Sequence, residues 1–236
     1  MTISEKEASA ETIRDKKSGL WYRPDMGELF VINEQNQYKT LEFEDRTVMD
    51  VGAHIGCFTD LAIKCGAKHI WAYEPTKESF ELLEKNTKNR KEWVTLHNSA
   101  LIGGEDDTVD FYLSKKYPTC HTHMPVRGRE KVTVDAMNFW DRVDLHQPEI
   151  LKVDVEGGEY DFIFQQEVPD FVEQIAIELH LGKKGYKDLG IKTAKLFGDW
   201  HYHTSFRFSW HITTLILHRN KKGKGIVKER IEELEL

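Results

Sequence analysis

Cysteine is scarce in this 236-residue chain, and what there is does not pair: Cys57, Cys65 and Cys120 form an odd set with no C-x-x-C spacing. That argues against a disulfide framework and for a reducing compartment. Long apolar runs are missing too. No stretch approaches the length of a membrane span, and the N-terminal MTISEKEASAETIRDKK lacks the apolar centre of a signal peptide. A soluble, cytoplasmic protein with no membrane partner is expected. There is no basic excess either. The formal net charge of −7 speaks against a general nucleic-acid binder, so no nucleic-acid partner is expected. Also absent is the G-x-G-x-x-G triplet with which dinucleotide enzymes cradle a pyrophosphate. What remains is an ordinary globular composition, 39% hydrophobic and 31% charged, long enough to bury a core without metal or disulfide.

Residues 1–18 read as a flexible leader, 19–218 as one domain and 219–236 as a charged tail that opens on Arg219, Lys221, Lys222 and Lys224. Within the domain, Trp21–Arg23 and Glu28–Asn33 read as short strands around a Pro24–Gly27 turn. A strand–helix rhythm then begins: strand Thr47–Val51, helix Gly56–Cys65, strand His69–Tyr73, helix Lys77–Asn89 and strand Trp93–His97. Thr108–Leu113 and Lys131–Val134 read as strands flanking an irregular loop. Glu149–Val155 reads as a buried strand, Glu159–Gln166 as a short helix and Gln174–His180 as a further strand. Thr193–Trp200 is helical in pattern. Ser205–Trp210 and Thr213–Leu217 read as a closing hairpin, with Trp210 and His211 packing in it. Strands alternating with helices predict an α/β fold with a mostly parallel sheet covered on both faces.

The strongest motif is VMDVGAHIGCFT at Val48–Thr59. An apolar strand ends at Asp50 and a glycine-bearing turn opens directly into a helix, the place where open α/β sheets bind ligands. Gly52 and Gly56 let a ligand approach the backbone, and the helix start, reached through Ala53, His54 and Phe58, suits an anionic group such as a carboxylate. Asp50 supplies the opposite charge, suited to an ammonium or, through water, a ribose. Thr59 offers a hydroxyl to the same ligand. About 20 residues after the glycine turn, WAYEP ends the next strand at Glu74 and Pro75, where a carboxylate can accept both hydroxyls of a ribose. HNSAL follows, with Ser99 and Ala100 small enough to let a flat base lie on the backbone. Together these indicate an adenosine-type ligand.

A second cluster is ILKVDVEGGEY at Ile150–Tyr160, in which Asp154, Glu156 and Glu159 crowd beside two glycines. So many carboxylates need solvent, partners or a ligand. Strand alternation predicts Lys152, Asp154 and Glu156 on one face, Lys152 serving simply to neutralise a carboxylate. IAIELHL brings Glu178 and His180 to the same rim of the sheet, where an acid–base site is expected.

With these pieces in view the chain resembles the FkbM family of methyltransferases that use S-adenosylmethionine (SAM). The resemblance rests on DVGAHIGCFT, YEPTKESFELLEKN, the segment at Ala100–Gly104, TVDAM, LKVDVEGGEYDFI and IAIELH, spanning roughly Tyr22 to Leu217. It implies a seven-stranded Rossmann-like sheet with a reversed last strand, SAM as cofactor, and methyl transfer to an oxygen of a sugar or other small hydroxylated acceptor. The ligand residues above, with Asp154, then surround SAM. His54 stands where the family usually has Asn, and its charge varies near neutral pH. Ser114–Arg129, with His121, Thr122 and His123, matches only loosely and is expected to face substrate.

Methyl transfer from a sulfonium to an alcohol calls for help with the proton. The residues leave the base open between His180 and Glu156, with Glu159 and Glu178 orienting it or binding substrate hydroxyls. Asp154, Glu156 and His180 offer donors for a divalent ion, but their spacing fits no tight ligand signature and no metal is predicted. The pair His121 and His123 is likewise not read as a metal site. Tyr38 is expected to cap the cofactor pocket. Two other functions compete: an NAD-dependent oxidoreductase on a similar sheet, disfavoured by the missing glycine triplet, and a non-catalytic SAM-binding scaffold, disfavoured by the acidic rim.

Overall fold

The structure is a computed structural model and describes residues 11–113, 128–180, 192, 193, 195–203 and 212–229. In chain order, β1 (Ile13–Arg14) and β2 (Trp21–Tyr22) pair as an antiparallel hairpin, so the described end of the expected leader is held in place. The Lys85 ammonium sits 3.6 Å over the Trp21 ring and ties this hairpin to the body of the protein. Then comes α1 (Glu28–Glu34), where a strand was expected. The run LFVI carries no period that separates helix from strand. The helical phase is set by Glu28 and Ile32, one turn apart and both buried. The Glu28 carboxylate accepts from the Arg23 backbone N–H at 2.6 Å and from its Nε at 2.8 Å, a pairing across the turn that no local pattern reveals.

The expected rhythm follows almost residue for residue as β3 (Thr47–Val51), α2 (Cys57–Lys64), β4 (His69–Tyr73), α3 (Lys77–Thr87) and β5 (Val94–His97). A separate three-stranded sheet is made of β6 (Ala100–Ile102), β7 (Thr108–Leu113) and β8 (Glu130–Asn138), the last running four residues beyond the expected strand. It leads into α4 (Phe139–His146), a helix the sequence reading lacked, capped by the Asn138 side chain on the Asp141 N–H at 3.1 Å. Next are β9 (Ile150–Val153), a 3-10 turn at Gly158–Asp161 in place of the expected longer helix, and β10 (Gln174–His180). Residues 192, 193 and 195–197 are helical, and β11 (His201–Tyr202), β12 (Ile212–His218) and β13 (Gly225–Ile226) complete the chain. The expected strand Ser205–Trp210, His211, and the loop with Cys120, His121, Thr122 and His123 lie outside the described residues.

The main sheet runs β5-β4-β3-β9-β10-β12-β11-β13. The first five are parallel, and β12 runs against β10 over seven residue pairs. This is the doubly wound α/β sheet with a reversed strand, and β13 makes it eight-stranded rather than seven. The winding direction changes at β3, between β4 and β9, which opens a crevice at the carboxyl ends of those strands. Alternate residues feed opposite layers. Met49, Val51, Leu151, Val153, Ile175 and Ile177 face α4, while Val48, Ile70, Ile150 and Ala176 face α2 and α3. Each such fully buried aliphatic side chain contributes about 1.5–3 kcal/mol.

The tail reading changes in its described part. The Arg219 guanidinium donates to the Val168 and Pro169 carbonyls at 3.0 Å and stacks on Trp200, β13 pairs with β11, and Val227 is buried in the core. Among the described residues no helix is long and apolar enough to cross a membrane.

Two histidines packed against the sheet carry a pH prediction. His146 stacks on Trp71 at 4.5 Å with its Nε2 2.7 Å from the Tyr73 hydroxyl, and His218 lies against His203. Burial, then neighbouring cationic groups, push both pKa values down to about 4. Each therefore stabilises the fold above pH 6.5 and loses that contribution as pH falls through 4. Side-chain nitrogen NMR is expected to find both rings neutral at pH 5.5, and titration midpoints near 6.5 would contradict this packing.

Candidate active site

The crevice holds a cavity of about 270 Å³. The turn after β3 forms one wall. Gly52 has φ +79°, and its N–H and that of Ala53 both donate to the Tyr73 carbonyl, at 3.0 and 2.9 Å. A Cβ on Gly52 would sit 1.9 Å from the Asp154 carbonyl oxygen, so glycine alone lets the ends of β3 and β9 approach this closely. His54, also at positive φ, turns its N–H onto Glu74 Oε2 at 2.9 Å. Gly52, Ala53, His54 and Phe58 line the cavity, and Tyr38 closes it from the segment after α1.

Glu74, Pro75, Ser99 and Ala100 line the next wall. Glu74 Oε1 accepts from the Thr76 N–H at 2.9 Å and hydroxyl at 2.5 Å. Burial raises its pKa despite these bonds. The Ser99 hydroxyl is buried, lines the cavity and has no hydrogen-bond partner among the described residues.

Three expected ligand residues do not reach the cavity. Asp50 is fully buried, with Oδ2 accepting from the Thr59 hydroxyl at 2.6 Å and Oδ1 lying 3.3 Å from Lys152 Nζ. Asp50 and Thr59 thus brace the turn from beneath. Gly56, at φ +90°, faces Leu83 of α3, which a Cβ would meet at 2.7 Å, so its role is helix packing. Lys152 does line the cavity and also donates to the Gly52 carbonyl at 2.6 Å. Burial would lower its pKa, but Asp50 and Asp154 outweigh burial and raise it.

The acidic rim is not arranged as alternation predicted. β9 stops at Val153 and Glu156 sits at φ +55°, so Lys152, Asp154 and Glu156 do not continue one strand face. Asp154, Glu156 and Glu178 line the cavity, and His180 and Glu159 stand behind them. Glu159 is fully buried and accepts from the Gly157 N–H at 2.8 Å and the His180 N–H at 2.6 Å, with His180 Nδ1 at 3.2 Å. It is therefore a brace for the loop, not a group that meets substrate. His180 Nε2 is 3.2 Å from Glu156. Burial alone would lower the His180 pKa, but the Glu156 and Glu159 carboxylates beside it push it up to about 11. A pKa raised this far argues against His180 as the general base. Glu178 accepts from the Thr214 hydroxyl at 3.1 Å, and burial beside Asp154 raises its pKa to about 7.

The sequence reading missed the outer wall. Phe30, Val31 and Glu34 of α1 line the cavity from one side, and Leu101, Ile102 and Phe111 of the small sheet from another. Phe30 is 67% exposed despite its size, a sign of a rim residue that emerges only once the segment is seen as a helix.

A family model described as "Methyltransferase FkbM domain" matches residues 50–203. No curated protein matches the chain. Among solved structures the chain is similar to a methyltransferase FkbM from Methylobacillus flagellatus KT (17% identity, TM-score 0.48), covering 87% of this chain and 48% of that one, so it spans about half of that protein's length. It is also similar to TYW2 of M. jannaschii in complex with AdoMet (16% identity, TM-score 0.47), covering 92% and 90% of the two chains. A putative RNA methyltransferase from Pyrococcus horikoshii is a further likeness (15% identity, TM-score 0.40), covering 80% and 82%.

Proposed function

The chain belongs to the FkbM methyltransferase family, and from that premise we propose that it moves a methyl group from SAM to a hydroxyl oxygen of a small, polyhydroxylated acceptor. The observation that carries the reading is that one cavity joins Glu74 and Ser99 at one end to Glu156 and Glu178 at the other. The residues present fit the cofactor. The Ser99 hydroxyl, without a partner among the described residues, awaits a ligand, and Glu74 Oε2, which accepts from the His54 N–H, keeps a lone pair for a ribose hydroxyl. In this reading Pro75 and Ala100 pack on the adenine, the Gly52–His54 turn with Phe58 takes the amino-acid end, and Asp154 stands where the cofactor meets the acceptor.

Bound there, SAM supplies a methyl group on a sulfonium: the acceptor O–C bond forms as the S–C bond breaks, and a neutral thioether leaves. Glu156 takes the hydroxyl proton on a carboxylate oxygen. Glu178 holds a neighbouring hydroxyl, and the α1 wall with Tyr38 keeps water from the reacting atoms.

Two measurements test this. SAM at about 100 times its Kd is expected to stabilise the protein by about 2.7 kcal/mol, and NAD to leave the melting point unmoved. Labelled SAM is then offered with sugars, other polyols and RNA. Transfer to RNA but to no small acceptor would overturn the acceptor class, and no response to SAM would overturn the reading itself. Glu74→Gln is expected to weaken SAM binding about 10- to 150-fold, the worth of a hydrogen bond to a charged group. It is also expected to cost about 1–3 kcal/mol of stability, because the amide turns its N–H₂ toward the donors of His54 or Thr76. Calorimetric titration of SAM and urea unfolding read the two effects separately.

A further inference from the structure

We propose that Asp154, Glu178 and His180 form a site for one divalent cation at the acceptor end of the cavity. Each residue offers one donor atom, and the three atoms lie within 4.8 Å of one another. Ligands of one ion with bonds of about 2.1 Å are about 3.0 Å apart when adjacent and about 4.2 Å when opposite, so side-chain rotation draws the donors inward as the ion binds.

Three features beyond proximity support the site. The first is the second ring nitrogen of His180. Metal-bound histidines commonly give that nitrogen to a carboxylate, which fixes ring and tautomer. Here His180 Nδ1 lies 3.2 Å from Glu159, itself fully buried and clamped by two backbone N–H groups. The second is that Nε2, the nitrogen left to face the site, is buried without a hydrogen bond of acceptable geometry, although the Glu156 carboxylate is 3.2 Å away. The third is the orientation of Glu178, whose Oε1 is held by the Thr214 hydroxyl, leaving Oε2 for a ligand. Lys152 does not fill the place of the ion. Its ammonium is 3.8 Å from Asp154 and is held instead by the Gly52 carbonyl at 2.6 Å and by Asp50.

Two carboxylates and one imidazole suit a divalent ion of intermediate softness such as Mn²⁺. Held there through Nε2 and the two carboxylates, the ion would hold and polarise the acceptor's hydroxyl beside Glu156. This site rests on the methyl-transfer reading for its purpose but not for its existence.

The test is Mn²⁺ binding to the full chain, followed by calorimetry and electron paramagnetic resonance after EDTA treatment. One ion per chain is expected, with affinity falling at least 100-fold in Asp154→Asn and in Glu178→Gln. Glu159→Gln is expected to weaken it 10- to 100-fold while leaving the stoichiometry at one. Glu178→Gln relieves a buried like-charge contact, so its melting point in EDTA is expected to match or exceed that of the parent, which keeps a folded variant in the comparison. No binding of Mn²⁺, Mg²⁺ or Zn²⁺ at millimolar concentration, or binding indifferent to both substitutions, overturns the proposal. Full methyl transfer in EDTA by a protein that binds no ion removes the ion and leaves the transferase. Mn²⁺ binding with the expected losses in a protein that ignores SAM supports the ion site and removes the transferase.

Discussion

Replacing Glu156 with glutamine is expected to lower kcat by about 10²- to 10⁴-fold, the usual worth of a positioned general base. The side chain keeps its length and can still accept a hydrogen bond, but it can no longer take the acceptor's proton. Glu156 earns this assignment by exclusion and by place. It lines the cavity, whereas Glu159 is locked beneath it and the His180 pKa is pushed up by its two carboxylate neighbours. The KM for the acceptor and the stabilisation by SAM are expected to change little, because the variant removes an interaction made only as the O–C bond forms. Steady-state kinetics with a SAM titration in parallel check this. A loss confined to KM, or an equal loss of SAM binding, would make Glu156 a binding residue instead.

Gly52→Ala is expected to cost more than about 4 kcal/mol, the range reached when backbone strain and overpacking coincide. A left-handed conformation costs a non-glycine residue about 1–2 kcal/mol. The larger part is the collision with the Asp154 carbonyl, 1.9 Å from the added carbon. That oxygen cannot simply retreat, because the Asp154 N–H is bonded to the Val51 carbonyl at 3.0 Å and Gly52 is itself pinned to Tyr73 and Lys152. Gly27→Ala is the control: its φ is +75° but a Cβ there meets nothing within 4 Å, so it should show the conformational cost alone. Urea unfolding of the two variants separates strain from collision, and equal losses would show that the close approach at Gly52 is not the constraint.

The parallel part of the fold was legible because β3, β4 and β10 are short apolar runs closed by glycine, proline or charge. The wall built by α1 was not, since its phase depends on Glu28 meeting Arg23 across a turn. The helix α4 did leave a signal in Asn138 followed by Asp141, a cap whose side-chain oxygen accepts from the N–H three residues on. In the site, strand ends announced Glu74 and Asp154. The raised pKa of His180 could not be read, because Glu156 and Glu159 reach its ring from a loop some twenty residues earlier whose path is set by positive φ at Glu156 and Gly157. Nor could the sequence tell that the Thr59 hydroxyl turns onto Asp50. Residues that flank a ligand turn look alike whether they face the ligand or support it.

The two-residue strand β13 has a consequence outside chemistry. It ends the described sheet on one side, and Gly223 and Gly225 press so closely on Tyr202 that added carbons would fall 2.2 Å from its carbonyl oxygen and 2.9 Å from its hydroxyl. On the other side the sheet ends in β5, only four residues long. Among the described residues neither border presents a long ladder of bare amides, the kind of edge onto which a second molecule adds a strand.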